Sequence, residues 1–339
     1  MGKTNNKDNT FSLNTMMLRN IKERYQPGLH LALDEMLRKF FGRYEFKHRL
    51  SSKPAKKGLK TFLIACSRLR IPFDSVFHDN KMLKTPGLSL VAGMVFDIRR
   101  RNKEAGFIKE GTTIFLDNYF TTQGLFKKCF EIGIFVVGTV KTNVLPAGVY
   151  TLSEEFRKQN KRHYDTVYDV VRCPSFTVKY DDIFYIIIWD NNLFCIGTNN
   201  KEYVDMGLVH VNTYYNKKQR AELGHDVSYK CQTEIPWIVR LYNFNMNSVD
   251  IIDQVISSYD RHQRHGVWKL QVYNSSLQMM EVVAYQMHLT YCKSINKSPL
   301  SHLKFKEDLA LSLFLFRLTR QMTNMSSNLS SDIHPIDNN

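Results

Sequence analysis

Thr112-Thr-Ile-Phe-Leu-Asp-Asn-Tyr-Phe-Thr-Thr122, TTIFLDNYFTT, is the stretch on which the fold turns. Strong β-formers run from Thr112 to Leu116 and end on an acid, Asp117. Helical periodicity follows over Phe120 to Ile132 and stops at Gly133, a good helix C-terminus. Ile134 to Val140 (IFVVGTV) then reads as another strand. A strand, a helix and a strand in this order predict a mixed α/β fold with a partly parallel sheet. In such sheets a carboxylate at the C-terminal end of a strand, beside a loop, is well placed to bind a metal or do chemistry. The other reading of Asp117 or Asn118 is as a cap on the following helix. This stretch alone leaves both open.

Upstream, Leu31 to Phe41 (LALDEMLRKFF) has the spacing of a helix, and a basic stretch from Lys47 to Lys60 follows it. Thr61 to Cys66 (TFLIAC) reads as a short strand, and Leu88 to Arg101 as a helix ending in Arg99, Arg100 and Arg101. Downstream, strand-like pieces at Phe176 to Tyr180, Phe184 to Trp189 and Leu193 to Thr198 are joined by Asp/Asn turns. After Pro236 the pattern is helical again, over Ser248 to Tyr259, Val267 to Cys292 and Phe305 to Arg320. The expected organisation is a partial, disordered N-terminal segment (1–24), a first core part (25–145), a β-rich insertion (146–236), a helical second core part (237–322) and a disordered tail (323–339).

The net charge of +15 and pI near 9.4 favour a polyanionic partner, nucleic acid being the commonest. The apolar runs fall far short of a membrane span, and the polar N-terminus lacks the apolar stretch of a signal peptide. An intracellular, non-secreted chain with reduced thiols is expected. Cys66, Cys129, Cys173, Cys195, Cys231 and Cys292 are scattered without a C-x-x-C or Cys/His cluster, so no zinc site is expected.

A second acidic feature lies in NSVDIIDQVI. Val249, Ile252 and Ile256 form an apolar stripe, while Asp250 and Asp253 are neighbours on one helix face. A divalent cation would relieve their repulsion, and hard oxygen ligands suit magnesium or manganese. The alternative is a pair of acids favoured by the helix dipole, with Asn247 or Ser248 as the cap. Together with Asp117 the pair has the makings of a two-metal phosphoryl-transfer site, which needs one more acid, usually from the first strand.

Five blocks in order resemble the piggyBac transposase family: LDEMLRKFFGR (Leu33 to Arg43), KPAKKGLK (Lys53 to Lys60), LDNYFTT (Leu116 to Thr122), GTVKTN followed by LP (Gly138 to Pro146), and IVRLYNFNMNSVDIIDQ (Ile238 to Gln254). Trp268 falls on a family tryptophan, and the similarity runs from about Tyr25 to Tyr291. This resemblance implies an RNase H-like DDE/D recombinase core, a mixed sheet flanked by helices, interrupted by a β-rich insertion. It carries the family's later catalytic and metal-binding acids onto Asp117, Asp250 and Asp253, and its first acid onto Cys66, in LIACSRLRIPFD. A neutral thiol is a poor magnesium ligand. Two further departures are Asn247-Ser248 in place of a Gly-Gly, and the absence of most of the N-terminal region that precedes the core and of the cysteine-rich zinc module that many members carry.

The expectation drawn is a transposase-derived, nuclear, DNA-binding protein whose cleavage and strand-transfer core is impaired at Cys66, with Mg2+ or Mn2+ as the cofactor if it is active. Two alternatives stand beside it: an active transposase with a substitute acid such as Asp74 or Asp79, and a non-enzymatic DNA-binding module. Candidate DNA contacts are Arg99, Arg100, Arg101, Lys141, Arg261, Arg264, Trp268 and Lys269. No small-molecule substrate and no membrane partner are expected, and a homodimer is left open.

Overall fold

The apolar runs of the chain assemble into one mixed sheet in the computed structural model, which describes residues 20–21, 23, 25–45, 47–49, 57–77, 86–89, 92–101, 107–164, 173–190, 192–214, 230–258 and 267–331. Strand β1 (His30–Lys39) runs antiparallel to β3 (Lys57–Cys66) on one side and parallel to β5 (Thr113–Leu116) on the other. Outside β3 lie the short β2 (Lys47–Arg49) and β4 (Ile71–Phe77), both antiparallel to it. β6 (Phe135–Val140) runs parallel to β5. Strands β7 (Ser175–Tyr180), β8 (Ile183–Asp190) and β9 (Asn192–Thr198) extend the sheet as an antiparallel meander joined through β9 to β6. The path is β2-β3-β1-β5-β6-β9-β8-β7, with β4 paired to β3.

Helices cover this sheet: α1 (Met94–Arg101), α2 (Gln123–Glu131), α3 (Ala147–Tyr164), α4 (Trp237–Met246) and α5 (Ser248–Ser258). Strands β10 (Leu208–Tyr214) and β11 (Lys230–Pro236) pair separately. Two long helices end the chain, α6 (Trp268–Ser294) and α7 (His302–Ser331). The chain separates into two compact units, Met1–Gln278 and Met279–Asn339. In the second, Glu281 of α6 bonds His302 at 3.0 Å and Lys306 at 2.8 Å of α7, and Tyr285 stacks on His302. Among the described residues no helix is long and apolar enough to cross a membrane.

One expectation is overturned. Leu31 to Phe41, expected as a helix, forms the central strand β1 instead. Apolar residues on both faces of β1 are buried, because helices cover both sides of the sheet. A strand of this kind has no polar face, so the alternation that distinguishes strand from helix is missing. The segment 146–236 contributes five strands, and also the 18-residue helix α3, which its β-former pattern did not suggest. The other strands and helices named from the sequence overlap their expected places, with α1 starting at Met94 rather than Leu88, and α7 continuing past Arg320 to Ser331, into the segment expected to be a disordered tail.

The even-numbered side chains of β1 point to the face covered by α4 and α5, and the odd-numbered ones to the other. Ala32 is level with Phe115, which packs with Ile238, Leu241 and Met246 of α4. Val249, Ile252 and Ile256 bury the apolar stripe of α5, which packs on β1, β3 and β4. β6 approaches closely at Gly138. A Cβ there would stand 2.4 Å from Thr121 Cγ2 and 2.8 Å from the Leu116 carbonyl. Gly138→Ala is expected to lower stability by about 1–3 kcal/mol through overpacking. Gly148→Ala, in open space in the first turn of α3, should be neutral or slightly stabilising. Urea unfolding of both variants checks the contrast.

Candidate acidic site at the ends of the central strands

Parallel pairing sets the site. Leu33 of β1 is level with Leu116 of β5, so the next residue on each strand, Asp34 and Asp117, comes level on one face. That is the face α4 and α5 cover. Asp34 is 8% exposed, and its Oδ1 accepts the Glu35 N–H at 2.7 Å. Asp117 Oδ1 accepts the Asn118 N–H at 2.5 Å and the Thr139 hydroxyl at 3.2 Å. The helix-cap alternative for Asp117 does not hold. Thr122 caps α2, its hydroxyl accepting the Leu125 N–H at 3.2 Å.

Asp250 lies in the first turn of α5, the helix that packs on β1, β3 and β4. Tyr242 of α4 lies near the ends of these strands, its hydroxyl 3.5 Å from that of Thr139. Burial, with smaller contributions from the charges of Asp117, Asp34 and Asp250, pushes this hydroxyl up to about 12. The start of α5 is tied down by Ser248, whose hydroxyl donates to the Ser67 carbonyl at 3.2 Å and the Asn245 carbonyl at 2.8 Å. Asn247 sits in the right-handed region at φ −66°, so a side chain there costs no backbone strain where the family has glycine. Among the described residues, no three His, Cys, Asp or Glu side chains already stand close enough to hold a metal ion.

The other residues singled out from the sequence lie elsewhere. Cys66 is level with Leu31, on the opposite face of the sheet from Asp34 and three residues back along β1. It is a buried thiol that hydrogen-bonds Tyr25. Asp74 is buried on β4, two strands away from β1, with its Oδ1 accepting the Ser75 N–H. Asp253, one turn beyond Asp250, faces Arg38 of β1 at 4.0 Å. Lys141 is exposed just past the end of β6, beside the acidic corner. Arg100 pairs with Asp97 at 2.7 Å on α1, where Arg99 is half-buried, and the Arg101 side chain lies outside the described residues. Trp268 stacks on Tyr44 at 4.8 Å and packs against Phe40, Leu59 and Val272, beside the half-buried Lys269. Arg261, Arg264 and Asp79 lie outside the described residues.

Asp34 does not stand out in the sequence, because LALDEMLRKFF reads as a helix. The available signal was its position one residue after the apolar LAL run, the same strand-then-acid pattern as in TTIFLD.

A family model described as Transposase IS4 matches residues 9–285. Two human proteins are similar at 22% identity over 279 residues, 82% of this chain: PiggyBac transposable element-derived protein 3, of which 42% is covered, and the Chimeric ERCC6-PGBD3 protein, of which 24% is covered. The structure is similar to a chain in the cryo-EM structure of the piggyBac transposase synaptic complex with hairpin DNA. There the TM-score is 0.65 at 17% identity, over 95% of this chain and 60% of that one. The chain thus spans less than two thirds of each of these relatives.

If Thr122 rather than Asp117 caps α2, the two substitutions should act in opposite ways. Thr122→Ala is expected to cost about 1 kcal/mol. Asp117→Asn should be neutral or stabilising, because it removes one of several mutually repelling charges. Chemical denaturation at neutral pH checks both.

Proposed function

Because the chain belongs to the Transposase IS4 family, of the piggyBac type, we propose that it carries an RNase H-like transposase core. In that core Asp34, Asp117 and Asp250 hold magnesium or manganese for cleavage and strand transfer of DNA. The observation that carries this reading is the β1–β5 register, which brings two acids level on one face, below a helix, α5, that carries a third in its first turn. The missing first-strand acid is then Asp34, and the impaired core expected from Cys66 is set aside. Cys66 is an ordinary core thiol on this reading.

The donor set fits the metals. Carboxylate oxygens are hard ligands, and acids that repel one another gain from a shared divalent cation. When bound, a pair of such ions would activate the attacking oxygen and stabilise the leaving one. The chain's own part is to hold the ligands. Asn118 and Thr139 orient Asp117, and the Ser248–Ser67 bond fixes the approach of Asp250. Asp253, which lies 4.0 Å from Arg38 of β1, serves as a flanking acid.

DNA, the partner in the synaptic complex of the structural relative, is assigned here by the net charge of +15 and by Lys141, an exposed cation beside the acids. Arg99 and Arg100 supply further positive charge on α1. A nuclear location follows from a DNA substrate.

The test is manganese binding by calorimetry together with metal-dependent nicking of DNA. Asp34→Asn and Asp117→Asn should each abolish both, whereas Cys66→Ser should leave both intact. Unchanged manganese affinity in the two Asp variants overturns the site. Manganese binding without nicking under any condition would instead favour a DNA-binding module. Lys141→Glu should weaken DNA binding and reduce the slope of log K against log salt by about 1.

A further inference from the structure

Asp117 is held unevenly. Both hydrogen bonds described for its carboxylate, from the Asn118 N–H at 2.5 Å and the Thr139 hydroxyl at 3.2 Å, arrive at Oδ1, and neither reaches Oδ2. A carboxylate gripped at one oxygen cannot rotate freely, so the other oxygen has a fixed heading. Thr139 has one proton to give, and Asp117 takes it. The Tyr242 hydroxyl lies 3.5 Å from the Thr139 oxygen, and with that proton committed, Tyr242 is left as the donor of the pair. The bonds then run in one direction, from phenol to threonine to carboxylate, and each strengthens the next.

The relay is anchored at each member. The Thr121 hydroxyl donates to the Thr139 carbonyl, holding the β6 backbone against the loop that follows Asp117. Tyr242 packs against the apolar cluster of Phe115, Val137 and Ile238. Because burial raises its hydroxyl, it remains a donor at neutral pH.

Resting on the acidic site proposed above, we propose that Tyr242 and Thr139 are positioning residues for Asp117. Thr139, backed by Tyr242, engages Oδ1 and so leaves Oδ2 for a cation. Partners of this kind behind a metal ligand are worth a factor of about 10–100 in metal affinity. Neither side chain is assigned as a metal ligand.

Manganese titration by calorimetry on the full chain is the readout, with thermal melting as the control for folding. Thr139→Val should weaken manganese binding by about 10–100-fold, while Thr139→Ser, which keeps the donor, should bind as the native chain does. Tyr242→Phe removes a single oxygen and should weaken binding by a smaller factor. In a Thr139→Val background it should add nothing, since the relay is already broken. Should Thr139→Val fail to fold, Tyr242→Phe carries the test alone. Native affinity in Tyr242→Phe and Thr139→Val, with affinity lost in Asp117→Asn, overturns the relay and leaves the acidic site standing. Native affinity in Asp117→Asn overturns the acidic site itself.

Discussion

The parallel register of β1 against β5 is the constraint on which the rest depends. Leu33 opposite Leu116 puts Asp34 and Asp117 side by side at the ends of neighbouring strands, and on the same face. A slip of one residue would turn one of the acids through the sheet to the far side. The register is protected by burial: Leu31, Ala32 and Leu33 on β1, and Ile114, Phe115 and Leu116 on β5, are all fully enclosed. Slipping would expose some of these and drive charge into the core. The same apolar surface that builds the sheet therefore aligns the acids.

Gathering like charges costs stability, and the surrounding groups show how the fold bears it. Thr139 and Asn118 supply donors to Asp117, and the Glu35 N–H supplies one to Asp34. Arg38 compensates Asp253 further along the same strand. On the opposite face Lys60 is buried against Glu35 and lies over the ring of Tyr119, two residues past Asp117. That contact ties the loop bearing Asp117 back to β3. The strand ends that carry Asp34 and Asp117 are thus braced from both sides of the sheet.

Legibility differed along the chain for physical reasons. TTIFLD was readable because a short run of β-formers ends abruptly in an acid and a turn, and the following helix ends on Gly133 at φ +68°. LALDEMLRKFF was not, because a central strand covered on both faces loses the alternation that would distinguish it from a helix. The expectation for Cys66 had a different source, the match of LIACSRLRIPFD to the family's first-acid block, and strand pairing sets that residue level with Leu31 rather than with Asp34.

The linear order of residues determined the family, the mixed α/β class, the acid at the end of β5 and the pair of acids on a late helix. These are local patterns or ordered blocks, and they survive without knowledge of pairing. Tertiary structure alone decided which strand neighbours which, and therefore that Asp34 rather than Cys66 is level with Asp117. It also decided that Asp253 of α5 lies within reach of Arg38 on β1. Strand register and helix docking are set by the joint burial of apolar surface from distant segments, a property of the whole fold that no single stretch contains.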